Sequence, residues 1–277
     1  MPANSDFSSS SSTNISPSPI DMDIAYEAYK EYIKDYNPDN PKIALKISHI
    51  LRTAKKSKQL AKALELSPLD IDLAELIGLL HDIGRFEQIR IYNTFSDRNS
   101  IDHGNFGCEV LFDNKDGIIR KFIVDDSFDD IIYTAIKNHN KFCIADADNM
   151  EPQTLIHSKI IRDSDKMDIF KTILIDTNMA LYGKEDVSND ILSEAVFNDF
   201  MTNHFVDYSL SSGSAPDSLL CNFGYVYDIN FPESHSIILD DGYLYELGQK
   251  VFSDKETQSK YKLAHQKAME YCRENAR

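Results

Sequence analysis

"LIGLLHDIGRFEQIR", residues 76–90, places His81 and Asp82 directly after a nearly unbroken apolar run and just before a glycine. Burying such polar groups without partners costs on the order of several kcal/mol for a charge. The pair is therefore either a local feature of a helix end or part of a binding site. The other polar residues of the chain decide between these two interpretations.

The composition favours a small ligand over a nucleic acid. The 277 residues include 45 acidic and 29 basic side chains, a formal net charge of −16, and no stretch supplies the Lys/Arg footprint that nucleic acid requires. No apolar run approaches the roughly 18 residues of a membrane helix. Without a signal-peptide pattern, we expect a cytoplasmic protein with no membrane partner, and a homo-oligomer is possible.

The cysteines do not form a recognisable site. Cys108, Cys143, Cys221 and Cys272 are scattered and make no CxxC pair. We therefore expect free thiols and neither disulfides nor a thiolate zinc site.

The hydrophobic pattern predicts an all-α protein in three parts. Residues 1–20 are rich in Ser and Pro and predict a disordered tail. Residues 21–182 predict a helical metal-binding domain, and residues 183–277 a helical extension packed on that core. The expected helices cover 21–36, 41–66, 67–84, 103–112, 115–124, 127–140, 153–182, 188–204, 216–229, 233–250 and 254–274.

The helix that carries the opening stretch has clear boundary signals. Ser67 is suited to be its N-cap, with Pro68 in the first turn and Asp70 three residues after the cap. Gly84 suits its C-terminus. This assignment places His81 and Asp82 in the last turn of the helix.

His139 is predicted to point inward. Phe128, Ile131, Ile132, Ala135 and Ile136 follow one helix face, and His139 continues that stripe. A single histidine on an apolar face is usually a hydrogen-bonded core residue, so this position alone does not indicate a metal.

Asp165 adds a carboxylate on a partly apolar face, between Ile161 and Ile169. Such a carboxylate requires a cation, either an Arg or a metal. Its neighbours Asp163 and Asp168 point to other faces of the helix. They are interpreted as surface charges or as groups that support the metal ligands.

Two further histidines are open to either interpretation. His49 shares a face with Leu45 but lies off the main apolar arc of its helix, so a hydrogen-bonding role competes with ligation. His103 stands at a helix start, where a plain N-terminal role competes.

Taken in chain order, the set His49, His81–Asp82, His103, His139 and Asp165 resembles the HD-domain superfamily of metal-dependent phosphohydrolases. The signature of that family is H…HD…D, with two more histidines in two-metal members. The short sequences "LLHDIG" and "RDSDKMD" also match the family's motifs. The resemblance covers roughly residues 40–175. It implies an all-helical bundle that holds the metal.

The resemblance also implies a binuclear centre. Asp82 would bridge two ions; His49, His81 and Asp165 would complete one, and His103 and His139 the other. Four imidazoles and two carboxylates suit Fe or Mn, with Co, Ni or Zn possible. A metal-activated hydroxide would then attack the phosphorus of a small phosphorylated substrate, a nucleotide or another phosphoester.

Cationic donors are expected beside these ligands. Arg85 and Lys166 are the main candidates and join Asp82 as predicted catalytic residues, whereas Arg98 and Lys137 are weaker candidates for substrate binding. The other histidines, His157, His204, His235 and His265, fit no pattern and are interpreted as structural or surface residues.

Two other functions fit the same ligands. Some HD-fold diiron oxygenases carry the same four-His, two-Asp pattern, and a non-catalytic nucleotide sensor would keep the pocket without turnover. The region after His139 reads "KNHNKF" and lacks the GYP motif of the cyclic-dinucleotide branch. No module like the synthetase of the alarmone enzymes is found.

Overall fold

The computed structural model describes residues 19–113, 115 and 117–277, and this part of the chain is helical without a strand. The all-α prediction is therefore confirmed. The helices are α1 Met22–Ile33, α2 Pro41–Ala63, α3 Pro68–Leu80, α4 Gly84–Tyr92, α5 His103–Phe112, α6 Asp129–Asn138, α7 Pro152–Ile175, α8 Asn178–Tyr182, α9 Glu194–Asn203, α10 Ala215–Phe223, α11 Pro232–Asp241, α12 Tyr243–Leu247 and α13 Lys255–Asn275.

Helices α2, α3 and α7 form the centre of the bundle. Gly78 lets α2 and α3 approach closely, because a Cβ at this position would lie 2.7 Å from the Cα of Ala54. Side chains at this contact are buried on both helices, among them Ile50 and Leu76. The close approach fixes the end of α3, and with it His81, against α2.

The boundary of α3 differs from the prediction at one end. Ser67 caps the helix as predicted, its Oγ accepting from the backbone N–H of Asp70. The helix ends at Leu80, however, and Gly84 begins α4 instead of ending α3. Gly84 is needed for packing, since a Cβ there would lie 2.6 Å from the backbone nitrogen of Gly107 on α5.

Several other predicted helices were wrong in extent, among them those expected over 115–124, 153–182 and 233–250. Residues 115–124 contain only a 3-10 turn, Ile119–Lys121, in their described part. Ile119, Phe122 and Ile123 are buried there without a regular helix. The helix expected over 153–182 stops at Asp176, which is extended. The helix expected over 233–250 divides at Gly242, whose φ of 74° a right-handed helix does not accept.

The buried apolar residues form two clusters that meet at α7. Ile161 joins the cluster built on α1 to α6. Ile160, Met167 and Phe170 join the cluster that includes α9 to α13. The C-terminal helices thus share apolar packing with the central helix of the bundle.

The predicted N-terminal tail lies mostly outside the described residues. The last residue of that predicted tail, Ile20, is described and is buried in the cluster built on α1 to α6. Within the described part of the chain, no helix has the length and apolarity needed to cross a membrane.

Candidate metal centre

Five segments bring the six predicted ligands together. The list, in chain order, is His49 on α2, His81 and Asp82 in the turn between α3 and α4, His103 at the start of α5, His139 at the end of α6, and Asp165 in the middle of α7. The four histidines and Asp82 are buried, and Asp165 is partly exposed.

Asp82 lies between two pairs of histidines. Its Oδ2 is 3.7 Å from Nε2 of His49 and 3.6 Å from Nε2 of His81. Its Oδ1 is 3.5 Å from Nε2 of His103 and 3.7 Å from Nε2 of His139. The two sets of ligand atoms are each compact enough to hold one ion, and Asp82 belongs to both.

Asp165 lies beside the first pair. Its Oδ1 is 3.0 Å from Nε2 of His49 and 3.7 Å from Nε2 of His81. On the other side, the Nε2 atoms of His103 and His139 are 3.1 Å apart. The cluster is therefore asymmetric, with a second carboxylate only beside His49 and His81.

All four rings are held from behind through Nδ1, which leaves Nε2 directed at the cluster. The Nδ1 contacts are His49 to Asp168 at 2.7 Å, His81 to the carbonyl oxygen of Gly78 at 2.8 Å, His103 to Asp97 at 2.5 Å, and His139 to the carbonyl oxygen of Ile136 at 2.6 Å. Metal-binding histidines are usually oriented in this way.

Two buried polar atoms at the centre lack a hydrogen-bond partner in the described part of the chain. Within the described residues, neither Nε2 of His81 nor Oδ1 of Asp82 has a hydrogen bond, although both are buried. Each such atom costs about 1–3 kcal/mol when left unsatisfied. A divalent ion would satisfy both, so the residues present fit a metal.

At His81, His103 and Asp82 the electrostatics favour the protonation states that bind metal. Burial lowers the pKa of His81 to about 3 and that of His103 to about 4, so both are neutral at pH 7. Burial raises the pKa of Asp82, but the neighbouring positive charges, Lys46 first and then Arg85, hold that pKa well below its usual range. Neutral imidazoles and an ionised carboxylate are the forms that ligate metal.

The family model for the HD domain matches residues 47–169, a range that contains all six of these residues. The chain carries an HD domain. HD domains bind divalent metals and are generally metal-dependent hydrolases, and the cluster in this chain is consistent with their metal site. No curated protein and no solved structure matches the chain.

Two carboxylates support the HD-domain histidines. Asp168 binds His49 and also accepts from Arg52 Nε at 2.7 Å, and Asp97 binds His103 and accepts from Arg85 at 2.9 Å. Asp168 is buried, so its interpretation as a surface charge is wrong and that as a supporting group fits. Asp97 was not singled out from the sequence, which shows only a polar loop at this position.

We expect Asp168→Ala to lower metal affinity about 10- to 100-fold, the usual effect of losing a carboxylate behind a metal-binding histidine. The variant frees Nδ1 of His49 and leaves Arg52 without its carboxylate. Titration of the metal-free protein with Mn²⁺ under calorimetry measures the change. Asp176→Ala is the matched control, since it removes a nearby charge without a contact to His49, and equal affinity in both variants would contradict the orienting role.

Three cations lie against the centre. Lys46 Nζ is 2.6 Å from Oδ2 of Asp82, and Arg85 Nε is 3.5 Å from its Oδ1. Lys166 lies further out, with Nζ 2.8 Å from Asp228. Lys46 was missed by sequence reasoning, although its position three residues before His49 on α2 places the two on one helix face.

Two predicted substrate-binding residues do not join the cluster. Arg98 and Lys137 are exposed, and neither lines the cavity above Asp82. Lys137 lies over the ring of Tyr133, with its Nζ 5.4 Å from the ring centroid. The structure thus gives these two residues no contact with the site.

The four remaining histidines lie away from the cluster, in contacts of their own. His157 bonds Asp70 at 3.1 Å, and His265 bonds the carbonyl oxygen of Leu244 at 2.9 Å. His204 stacks on Tyr227 with ring centroids 4.3 Å apart, and His235 is buried against Tyr271.

A cavity of about 500 Å³ opens above the cluster of histidines and carboxylates. Its floor includes His49, Asp82, His103, His139 and Asp165. One wall comes from residues 205–228, beyond the matched HD-domain range. No pattern in the sequence indicates that this part of the chain reaches the site.

Proposed function

We propose that this chain is a phosphohydrolase that cleaves a small phosphoester at a centre of two divalent ions. The observation that carries the proposal is the position of Asp82. Each of its carboxylate oxygens faces one pair of histidine Nε2 atoms, and the whole arrangement lies at the floor of a cavity.

The charge of the centre supports an anionic substrate. With the imidazoles in the neutral form that metal binding requires, the six ligands carry two negative charges, from Asp82 and Asp165. Two divalent ions would therefore leave a net positive centre inside a protein of net charge −16. Such a local field attracts a phosphate group that the rest of the surface repels.

The donor set supports a transition metal. Imidazole-rich sites suit Fe or Mn, with Co, Ni or Zn possible, and differ from the oxygen-only sites of Mg²⁺ and Ca²⁺. When bound, the ions would supply Lewis-acid polarisation of the phosphoryl group and an acidified water.

The protein's own cations would hold the phosphoryl oxygens. Lys46 and Arg85 both approach Asp82, and both line the cavity. Lys166 also lines the cavity but is engaged by Asp228 at 2.8 Å. We therefore rank Lys46 and Arg85 ahead of Lys166 as phosphate-binding residues.

Metal binding should be visible as thermal stabilisation of the chelator-treated protein. Free metal at 100 times its Kd raises the free energy of unfolding by about 2.7 kcal/mol. For a chain of this size, that corresponds to a rise in melting temperature of roughly 5–10 °C. Differential scanning fluorimetry with anaerobic Mn²⁺ or Fe²⁺ measures the shift, and Mg²⁺ is the control expected to give less. No shift, together with no bound metal by elemental analysis, would contradict the centre.

The test of the function is phosphate release from a panel of phosphoesters. The protein is loaded anaerobically with Mn²⁺ or Fe²⁺ and offered nucleoside monophosphates, sugar phosphates and simple alkyl esters. Metal-dependent release of phosphate is the expected result. Oxygen uptake without phosphate release would instead indicate a diiron oxygenase, and tight nucleotide binding without turnover in every metal would indicate a sensor.

A further inference from the structure

Residues 205–228 form one wall of the cavity, and apart from Asp228 the described side chains that line it are uncharged. It includes Phe205, Val206, Cys221 and Tyr225, which follow the matched HD-domain range. Burial raises the pKa of the Cys221 thiol to about 12, so this side chain is neutral. Val206 and Cys221 are both buried.

The Tyr and Asp side chains of this wall already have partners within the protein. The hydroxyls of Tyr208 and Tyr225 bond each other at 2.8 Å. Residues 205–228 contribute one carboxylate to the described lining, Asp228. It binds both Arg162 and Lys166 at 2.8 Å. A ligand group against this wall would therefore meet few free donors or acceptors.

Aromatic rings flank the entrance. Phe142, on the loop after α6, is 82% exposed, and its ring lies edge-on to that of Phe205 at 5.8 Å between centroids. Both rings line the cavity. An exposed aromatic pair beside a cavity offers a hydrophobic contact to whatever enters.

We propose that residues 205–228 form a leaving-group subsite for a compact apolar or aromatic alcohol. The substrate would be a phosphate monoester with its phosphate at the charged floor and its ring or alkyl group against the neutral wall. The cavity volume of about 500 Å³ suits one small molecule. This inference rests on the proposed phosphohydrolase function and adds the class of alcohol that the enzyme releases.

Three esters of primary alcohols test the preference without changing the type of leaving group. Benzyl phosphate, glycerol 3-phosphate and ribose 5-phosphate are hydrolysed in parallel by the metal-loaded full chain. We expect kcat/KM for benzyl phosphate to be at least about tenfold higher, mainly through KM, as apolar pockets discriminate. Equal hydrolysis of all three would overturn the subsite and leave the phosphohydrolase intact, whereas no hydrolysis of any phosphoester would count against the function itself.

Phe205→Ala tests the wall directly. We expect KM for benzyl phosphate to rise roughly fivefold, with ribose 5-phosphate unaffected, because a partly exposed ring is lost from the apolar side. Leu210→Ala is the matched control, since Leu210 is similarly exposed on the same segment and does not line the cavity. Equal changes for both substrates in Phe205→Ala would contradict the assignment.

A binding measurement separates the subsite from turnover. Benzylphosphonate and 2-hydroxyethylphosphonate, which are not hydrolysed as esters, are titrated into the metal-loaded protein under calorimetry. Tighter binding of benzylphosphonate, weakened by Phe205→Ala, supports the subsite even if no ester is turned over. Equal affinity for the two phosphonates would overturn it.

Discussion

Asp82→Ala is expected to lower phosphoester hydrolysis by at least about 10³-fold, because the variant removes the group shared by both candidate ion sites. In the native protein one carboxylate oxygen faces His49 and His81, and the other faces His103 and His139. Bound metal should fall below two ions per chain. Steady-state phosphate release and elemental analysis measure the two effects.

The fold should largely survive this change. Lys46 loses its partner, but its side chain is 13% exposed at the cavity and can reach water. Asp241→Ala is the matched control, since it breaks a Lys–Asp pair of similar length, 2.7 Å to Lys56, away from the histidines. Wild-type rate and metal content in Asp82→Ala would show that the site is wrongly placed.

Asp163→Ala is expected to give the largest loss of stability, about 3 kcal/mol, because it leaves donors without an acceptor. The carboxylate of Asp163 is fully buried on α7. It accepts from the backbone N–H groups of Asn230 and Phe231, the Asn230 side chain and the Ser234 hydroxyl, at 2.7–3.1 Å. The melting temperature should fall by roughly 6–12 °C for a chain of this size.

The control for this variant is Asp148→Ala. Asp148 is exposed, so its removal should change stability by less than about 0.5 kcal/mol. Thermal unfolding of both variants by circular dichroism provides the comparison. A melting temperature of Asp163→Ala equal to that of the control would mean that its bonds to Asn230, Phe231 and Ser234 do not hold the C-terminal segment to α7.

The location of Asp163 corrects one interpretation of the sequence. On a helix wheel, Asp163 points away from Asp165. If α7 buried only one face, Asp163 would therefore be a surface charge. The structure places a second layer of helices on that side, so both directions from α7 are buried. A single helix pattern cannot show how many neighbours will cover it.

Local patterns were sufficient where the interactions are local. Ser67 caps α3 through the N–H three residues later, and His139 follows the apolar stripe of its own helix. Chain order and residue type therefore indicated the six candidate ligands. The sequence placed His49 less clearly, because its partners Asp165 and Asp168 lie on α7, over 110 residues away.

By itself, the sequence determined that the chain is all-α, that it carries the HD pattern, and which six side chains form the cluster. Only the tertiary structure decided that Lys46 pairs with Asp82 across 36 residues and that Asp168 holds His49 across 119. It also brought residues 205–228 over the cavity. The physical reason is that hydrophobic packing between distant helices sets these contacts, and such packing is not encoded in any short stretch of the chain.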